Sequence, residues 1–138
     1  MKLYLKRKKV EMAVRILFIL VLLVSIGCSQ NLVVPKGVEW DYNYAEEQPS
    51  NIMFELYSSS FVDNPEYVKY DSTQALMLGF NLGNPVMYDN RTWYFFCRAK
   101  RLSDSAVSLN SDTISAFFPR ILANKPYNFE TLKMSIPE

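Results

Sequence analysis

The sequence predicts an all-β domain behind an apolar leader, on three observations. Aromatic residues are abundant, with nine Phe, nine Tyr and two Trp in 138 residues. Turn-forming residues interrupt the chain roughly every ten positions, a spacing typical of short strands. Past the leader no window sustains an apolar stripe of helical period, whereas several segments alternate with a period of two.

The leader is ILFILVLLVSIGC, Ile16 to Cys28, with basic residues ahead of it. A membrane span needs about twenty apolar residues, so this run reads instead as the helical core of a removable signal peptide, residues 1–27. Met12-Ala13-Val14-Arg15 is a compact signal start by itself, which leaves Met1 and Met12 as alternative start sites, both with positive charge on the cytoplasmic side. Val24-Ser25-Ile26-Gly27-Cys28 resembles the lipobox of bacterial lipoproteins. The resemblance implies that Cys28 becomes the N-terminus and carries a diacylglycerol thioether and an acylated amine. Each buried methylene of such chains adds about 0.8 kcal/mol of membrane affinity. Ser29, where the sorting pattern of inner-membrane lipoproteins has aspartate, implies the outer membrane. Ser25 and Gly27 also suit an ordinary signal peptidase, which would leave a secreted or periplasmic chain without lipid.

Residues 28–34 are expected as a lipidated tether, ending at the Pro35-Lys36-Gly37 break. Val38-Glu39-Trp40-Asp41 alternates like a strand, and Tyr42 to Ser50 is polar, acidic and loop-like. Asn51 to Ser59 is the clearest strand, with Ile52, Phe54 and Leu56 on one face and Met53, Glu55 and Tyr57 on the other. Asp63-Asn64-Pro65 marks a turn. Glu66 to Tyr70 is a candidate edge strand and Thr73 to Leu78 another strand. Residues 79–90 form a long connection with a candidate short strand at Val86-Met87-Tyr88. Arg91 to Arg101 is a central strand, with Trp93, Phe95, Cys97 and Ala99 on one face and Tyr94, Phe96, Arg98 and Lys100 on the other. Asp112 to Phe118 is the last strand of the domain, placed at 35–119. Residues 120–138, with two prolines and no clean period, are a C-terminal extension that adds an edge strand or hangs loose.

In this order VEWDYN, NIMFELYSSS, RTWYFFCRAK and SDTISAFFP resemble the second, third, sixth and closing strands of a fibronectin type III domain. The resemblance implies an immunoglobulin-like β-sandwich over roughly 35–119, with Trp40 as the core tryptophan. Two departures stand out: Trp93 occupies the register of the family's corner tyrosine, and the first strand is either Leu32-Val33-Val34 or missing. The family is a scaffold for binding and spacing and carries no one chemistry.

Charge and chemistry narrow the function. Six of the fifteen basic and one of the fourteen acidic residues precede Cys28, which leaves nine against thirteen and a net charge of −4 in the mature chain. That balance argues against a nucleic-acid partner. There is no histidine, so the usual general base, metal ligand and Ser-His or Cys-His nucleophile are missing. Neither Glu46-Glu47 nor Asp63 with Glu66 has the oxygen spacing of a calcium loop. No catalytic residue, metal or cofactor is therefore assigned. Cys97 is expected to be buried with Trp40 and Trp93 in the core, a Cys28–Cys97 disulfide being open only without the lipid. Tyr42, Tyr44, Tyr57, Tyr67 and Tyr70 form the candidate binding surface, because tyrosine suits amphipathic contacts. The expected function is a membrane-anchored envelope lipoprotein that binds protein or glycan through one domain. The alternatives are a structural accessory subunit of an envelope or phage-related complex and, third, a secreted hydrolase.

Overall fold

The computed structural model describes residues 31–61 and 66–137. The expected signal segment 1–27 with its alternative start at Met12, Cys28, and the expected turn at Asp63-Asn64-Pro65 lie outside the described residues. Seven strands follow in order: β1 (Leu32–Asp41), β2 (Ile52–Ser59), β3 (Val68–Thr73), β4 (Met77–Gly79), β5 (Arg91–Arg101), β6 (Ile114–Phe118) and β7 (Tyr127–Ser135). They form two sheets packed as an all-β sandwich, one ordered β4-β1-β7 and the other β3-β2-β5-β6. All pairings are antiparallel except β1 with β7, which is parallel. Among the described residues no helix is long and apolar enough to cross a membrane.

Alternation places the core between the sheets. Phe54 and Leu56 from β2, Phe95, Cys97 and Ala99 from β5 and Phe118 from β6 face Val34, Val38, Trp40 and Met134 of the other sheet, and all are buried. Aromatic rings knit the layers: Trp40 lies 5.4 Å from Phe54, and Phe80 stacks on Phe95 at 5.3 Å. Such pairs add about 0.5–1.5 kcal/mol beyond the area they bury. Trp93 is half-buried against this core, and its indole N–H donates to the Met87 carbonyl at 3.0 Å.

Several boundaries differ from the sequence reading, each for a local reason. Leu32–Val34 and the Pro35-Lys36-Gly37 break both belong to β1, because a bulge against β7 absorbs the irregularity. Pro35 pairs with Glu130 and Gly37 with Thr131, so Lys36 is the extra residue. The bulge turns Lys36 to solvent although it shares sequence parity with buried Val34 and Val38. Residues 74–76 bend the chain between β3 and β4, dividing the strand expected at Thr73 to Leu78. Val86-Met87-Tyr88 lies in turns, held by the Asn84 side chain accepting from the Val86 N–H at 2.9 Å. The extension supplies β7.

Past the reach of β6, the upper half of β5 is satisfied by the polar 102–113 segment. Ser108 and Ser111 accept from the Ala99 and Cys97 amides through their hydroxyls, both at 2.9 Å, and donate backbone N–H groups to the same residues' carbonyls at 2.8 Å. This discharges the obligation of buried backbone groups without a strand.

Gly37 is where β1 and β4 approach most tightly. A Cβ there would sit 2.7 Å from the Leu78 carbonyl oxygen, a backbone atom with no freedom to retreat. Gly37→Ala is expected to push the strands apart and cost about 1–3 kcal/mol, read as a lower thermal midpoint. An unchanged midpoint contradicts the close approach.

Candidate functional site

The five tyrosines do not form one surface. Tyr42 and Tyr44 fold over the upper end of the core, with ring centroids 5.2 and 6.3 Å from Phe54. Tyr70 is the extra residue of a bulge between β2 and β3, where Leu56 pairs with Asp71 and Tyr57 with Lys69. The bulge turns its ring against Phe80, 5.8 Å away, and into contact with the core. Loop position and simple alternation pointed all three outward; the core at the sandwich end and the bulge draw them in.

Tyr57 and Tyr67 lie together on the outer face of the β3-β2-β5-β6 sheet. Register builds this cluster, since β2 and β5 place Glu55 opposite Arg98 and Tyr57 opposite Phe96. Tyr57 stacks on Phe96 at 4.9 Å and 7°, Tyr67 meets Phe96 edge-on at 4.9 Å, and the Arg98 guanidinium lies 4.9 Å from the Tyr57 ring centre. Glu55 is 6% exposed and sits beneath this layer. Its carboxylate accepts from Lys69 Nζ at 3.0 Å, Arg98 Nε at 2.9 Å and the Tyr57 hydroxyl at 3.1 Å, and lies in ion-pair range of Arg98 Nη2 at 2.9 Å. Arg98 Nη2 also donates to the Tyr57 hydroxyl at 2.7 Å.

Burial alone would raise the Glu55 pKa, but the hydrogen bonds from Lys69, Arg98 and Tyr57 outweigh it and hold the group at about 2. The Tyr57 hydroxyl is pushed up, first by burial and then by its bond to Glu55. Because the folded value for Glu55 lies below the ordinary 4.5, its contribution is full above that pH and is lost as pH falls towards 2. With half-exposed Lys69 screened by water, the contribution is on the order of 2 kcal/mol. Glu55→Gln is expected to flatten the decline in stability over that acid window, measured by denaturant melts at a series of pH values. Parent and variant with the same acid profile would overturn the assignment.

One negative and three positive charges share this face, and Lys100 has no ion pair among the described residues. The face is thus cationic. Of its members, Tyr57 and Tyr67 were in the predicted set; Glu55, Lys69 and Phe96 were not. The signal was present in the alternation of β2 and β5, but pairing it required the register.

Cys97 is fully buried, and burial pushes its thiol up to about 12. Such a group packs as a small apolar residue. A cleft of about 500 Å³ at the upper end is lined by Asp41, Tyr42, Asn43, Leu76, Ser135, Ile136 and Pro137, with Asp41 its lone carboxylate. Among the described residues no group of His, Cys, Asp and Glu is arranged to hold a metal ion. Comparison with protein-family models, curated proteins and solved structures finds no match for the chain.

Proposed function

We propose that this chain is an envelope lipoprotein, held to the outer membrane through acylated Cys28, whose fibronectin type III-like sandwich acts by contact with a protein partner. The observation that carries the contact reading is the outer layer of Tyr57, Phe96, Tyr67 and Arg98 over buried Glu55. Its side chains hold one another in place before any partner arrives, which lowers the ordering cost of association. A protein suits this face better than a glycan, because the Tyr57 ring already carries contacts from Phe96 and Arg98. Its excess of cations fits an acidic partner surface.

The finer fold assignment draws support from topology. The third, sixth and closing strands of the family correspond to β2, β5 and β6, which are neighbours in that order, and the second and fifth to β1 and β4, which pair. The Trp93 indole, bonded to the Met87 carbonyl, takes the place of the corner tyrosine hydroxyl. The family's first strand has no separate counterpart, and β7 lies at that edge of β1.

Intact mass of the membrane-extracted protein tests the anchor: cleavage before Cys28 plus acyl chains is expected, and an unmodified water-soluble chain overturns it. A photo-crosslinker at Tyr94 tests the face. It is expected to trap a protein in the host envelope, while the same probe at Lys133 on the opposite sheet traps none. A fixed stoichiometric adduct favours the accessory-subunit form of the function; equal trapping from both sheets rejects the face.

A further inference from the structure

We propose that the lower end of the sandwich, where β1 begins, seats directly on the surface of an anionic phospholipid bilayer through the β6–β7 loop and its neighbours. This rests on the reading of Cys28 as the acylated residue. Because β1 starts at Leu32, four peptide steps separate it from Cys28 instead of the seven-residue tether the sequence predicts. An extended chain covers at most about 3.6 Å per step, so acylation would hold this end within roughly 15 Å of the lipid. The domain is on too short a leash to stand clear of the bilayer.

What the topology gathers at this end fits that neighbour. The start of β7 pairs beside Leu32, and Arg91 of β5 pairs with Phe118 at the end of β6. The β4–β5 and β6–β7 loops therefore emerge there with exposed Val86 and Leu122 beside Leu32. Cations Arg91, Arg120 and Lys125 accompany them, with Asp89 between the two arginines at 3.8 and 3.1 Å and Glu66 as the further carboxylate described on that end. The Leu122 loop is built: its N–H donates to the Tyr127 hydroxyl at 2.8 Å, that hydroxyl donates to the Arg120 carbonyl at 3.3 Å, and Asn124 closes the turn at φ 67°. The opposite end also exposes apolar side chains, Leu76, Leu102 and Val107, but carries Asp41, Glu46, Glu47 and Asp104 against Lys100 and Arg101. An anionic bilayer repels that end and accepts the lower one, where apolar side chains enter the headgroup layer and basic ones meet phosphate.

Leu122 and Leu102 are exposed to 45% and 46%, which makes them a matched pair. The full chain, with Leu122→Trp or Leu102→Trp, is isolated from membranes and reconstituted into phosphatidylethanolamine–phosphatidylglycerol vesicles containing brominated acyl chains. The fluorescence added over the parent at position 122 is expected to be lost to the bromolipid and shielded from aqueous iodide, with the reverse at position 102. Intact mass is read on the same samples. Acyl mass present with both positions equally open to iodide overturns the seat alone, whereas acyl mass absent overturns the anchor reading beneath it.

Discussion

Replacing Trp40 by alanine is expected to cost about 3–5 kcal/mol, a large part of the 5–15 kcal/mol that holds a domain of this size together. Trp40 is 2% exposed and packs on Phe54, which also carries the rings of Tyr42 and Tyr44. Removing the indole leaves a cavity against Phe54 that strands β1 and β2 are too rigid to close. The thermal midpoint should fall by more than 10 °C, at about 4–8 °C per kcal/mol, or folding should fail. Trp40→Phe separates packing from polarity. The Trp40 indole N–H is buried with no hydrogen-bond partner among the described residues, so phenylalanine keeps most of the ring and discards an unsatisfied donor. It should lose far less than alanine. An alanine variant melting within a few degrees of the parent would place Trp40 outside the core.

Ending the chain at Pro119 is expected to abolish cooperative unfolding. This removes β7, whose parallel ladder covers one edge of β1 from Leu32 to Asp41. It also removes Met134 and Ile136, each 5% exposed, from the core. Deleting either side chain alone should cost about 2–5 kcal/mol, and together with the ladder the loss reaches the whole stability of the domain. The uncovered β1 edge then becomes a template for aggregation. Met134→Ala is the graded control and should lower the denaturant midpoint while the chain still unfolds in one step. A truncated chain unfolding at the parental midpoint would show that β7 is an ornament on a complete sandwich.

The contrast between these two residues, Trp40 and Met134, shows where legibility stopped. Trp40 announced itself through alternation with Val38 and through its size. Met134 sits in a tail whose β7 face is half solvated, so its sequence period is blurred, and its partner β1 lies about ninety residues away. Non-local parallel pairing leaves no turn signal to read. The same limit governed the candidate site. The two faces of β5 were readable from Trp93 to Lys100, yet nothing local says that Arg98 meets Glu55 while Arg101 meets Glu47. Bulges added a second loss, because one inserted residue reverses the facing of Lys36 and Tyr70 against their neighbours.

The sequence by itself determined the all-β class, the strands β2 and β5, their inward faces and the packing role of Cys97, since alternating apolar side chains have one way to leave water. Tertiary structure alone decided that β7 closes against β1, that Lys36 escapes burial, and that Glu55, Tyr57, Lys69, Phe96 and Arg98 share one surface. Those outcomes depend on the register between distant strands. Register is set by how two sheets fit together over a common core, a property of the assembled sandwich that no single segment carries.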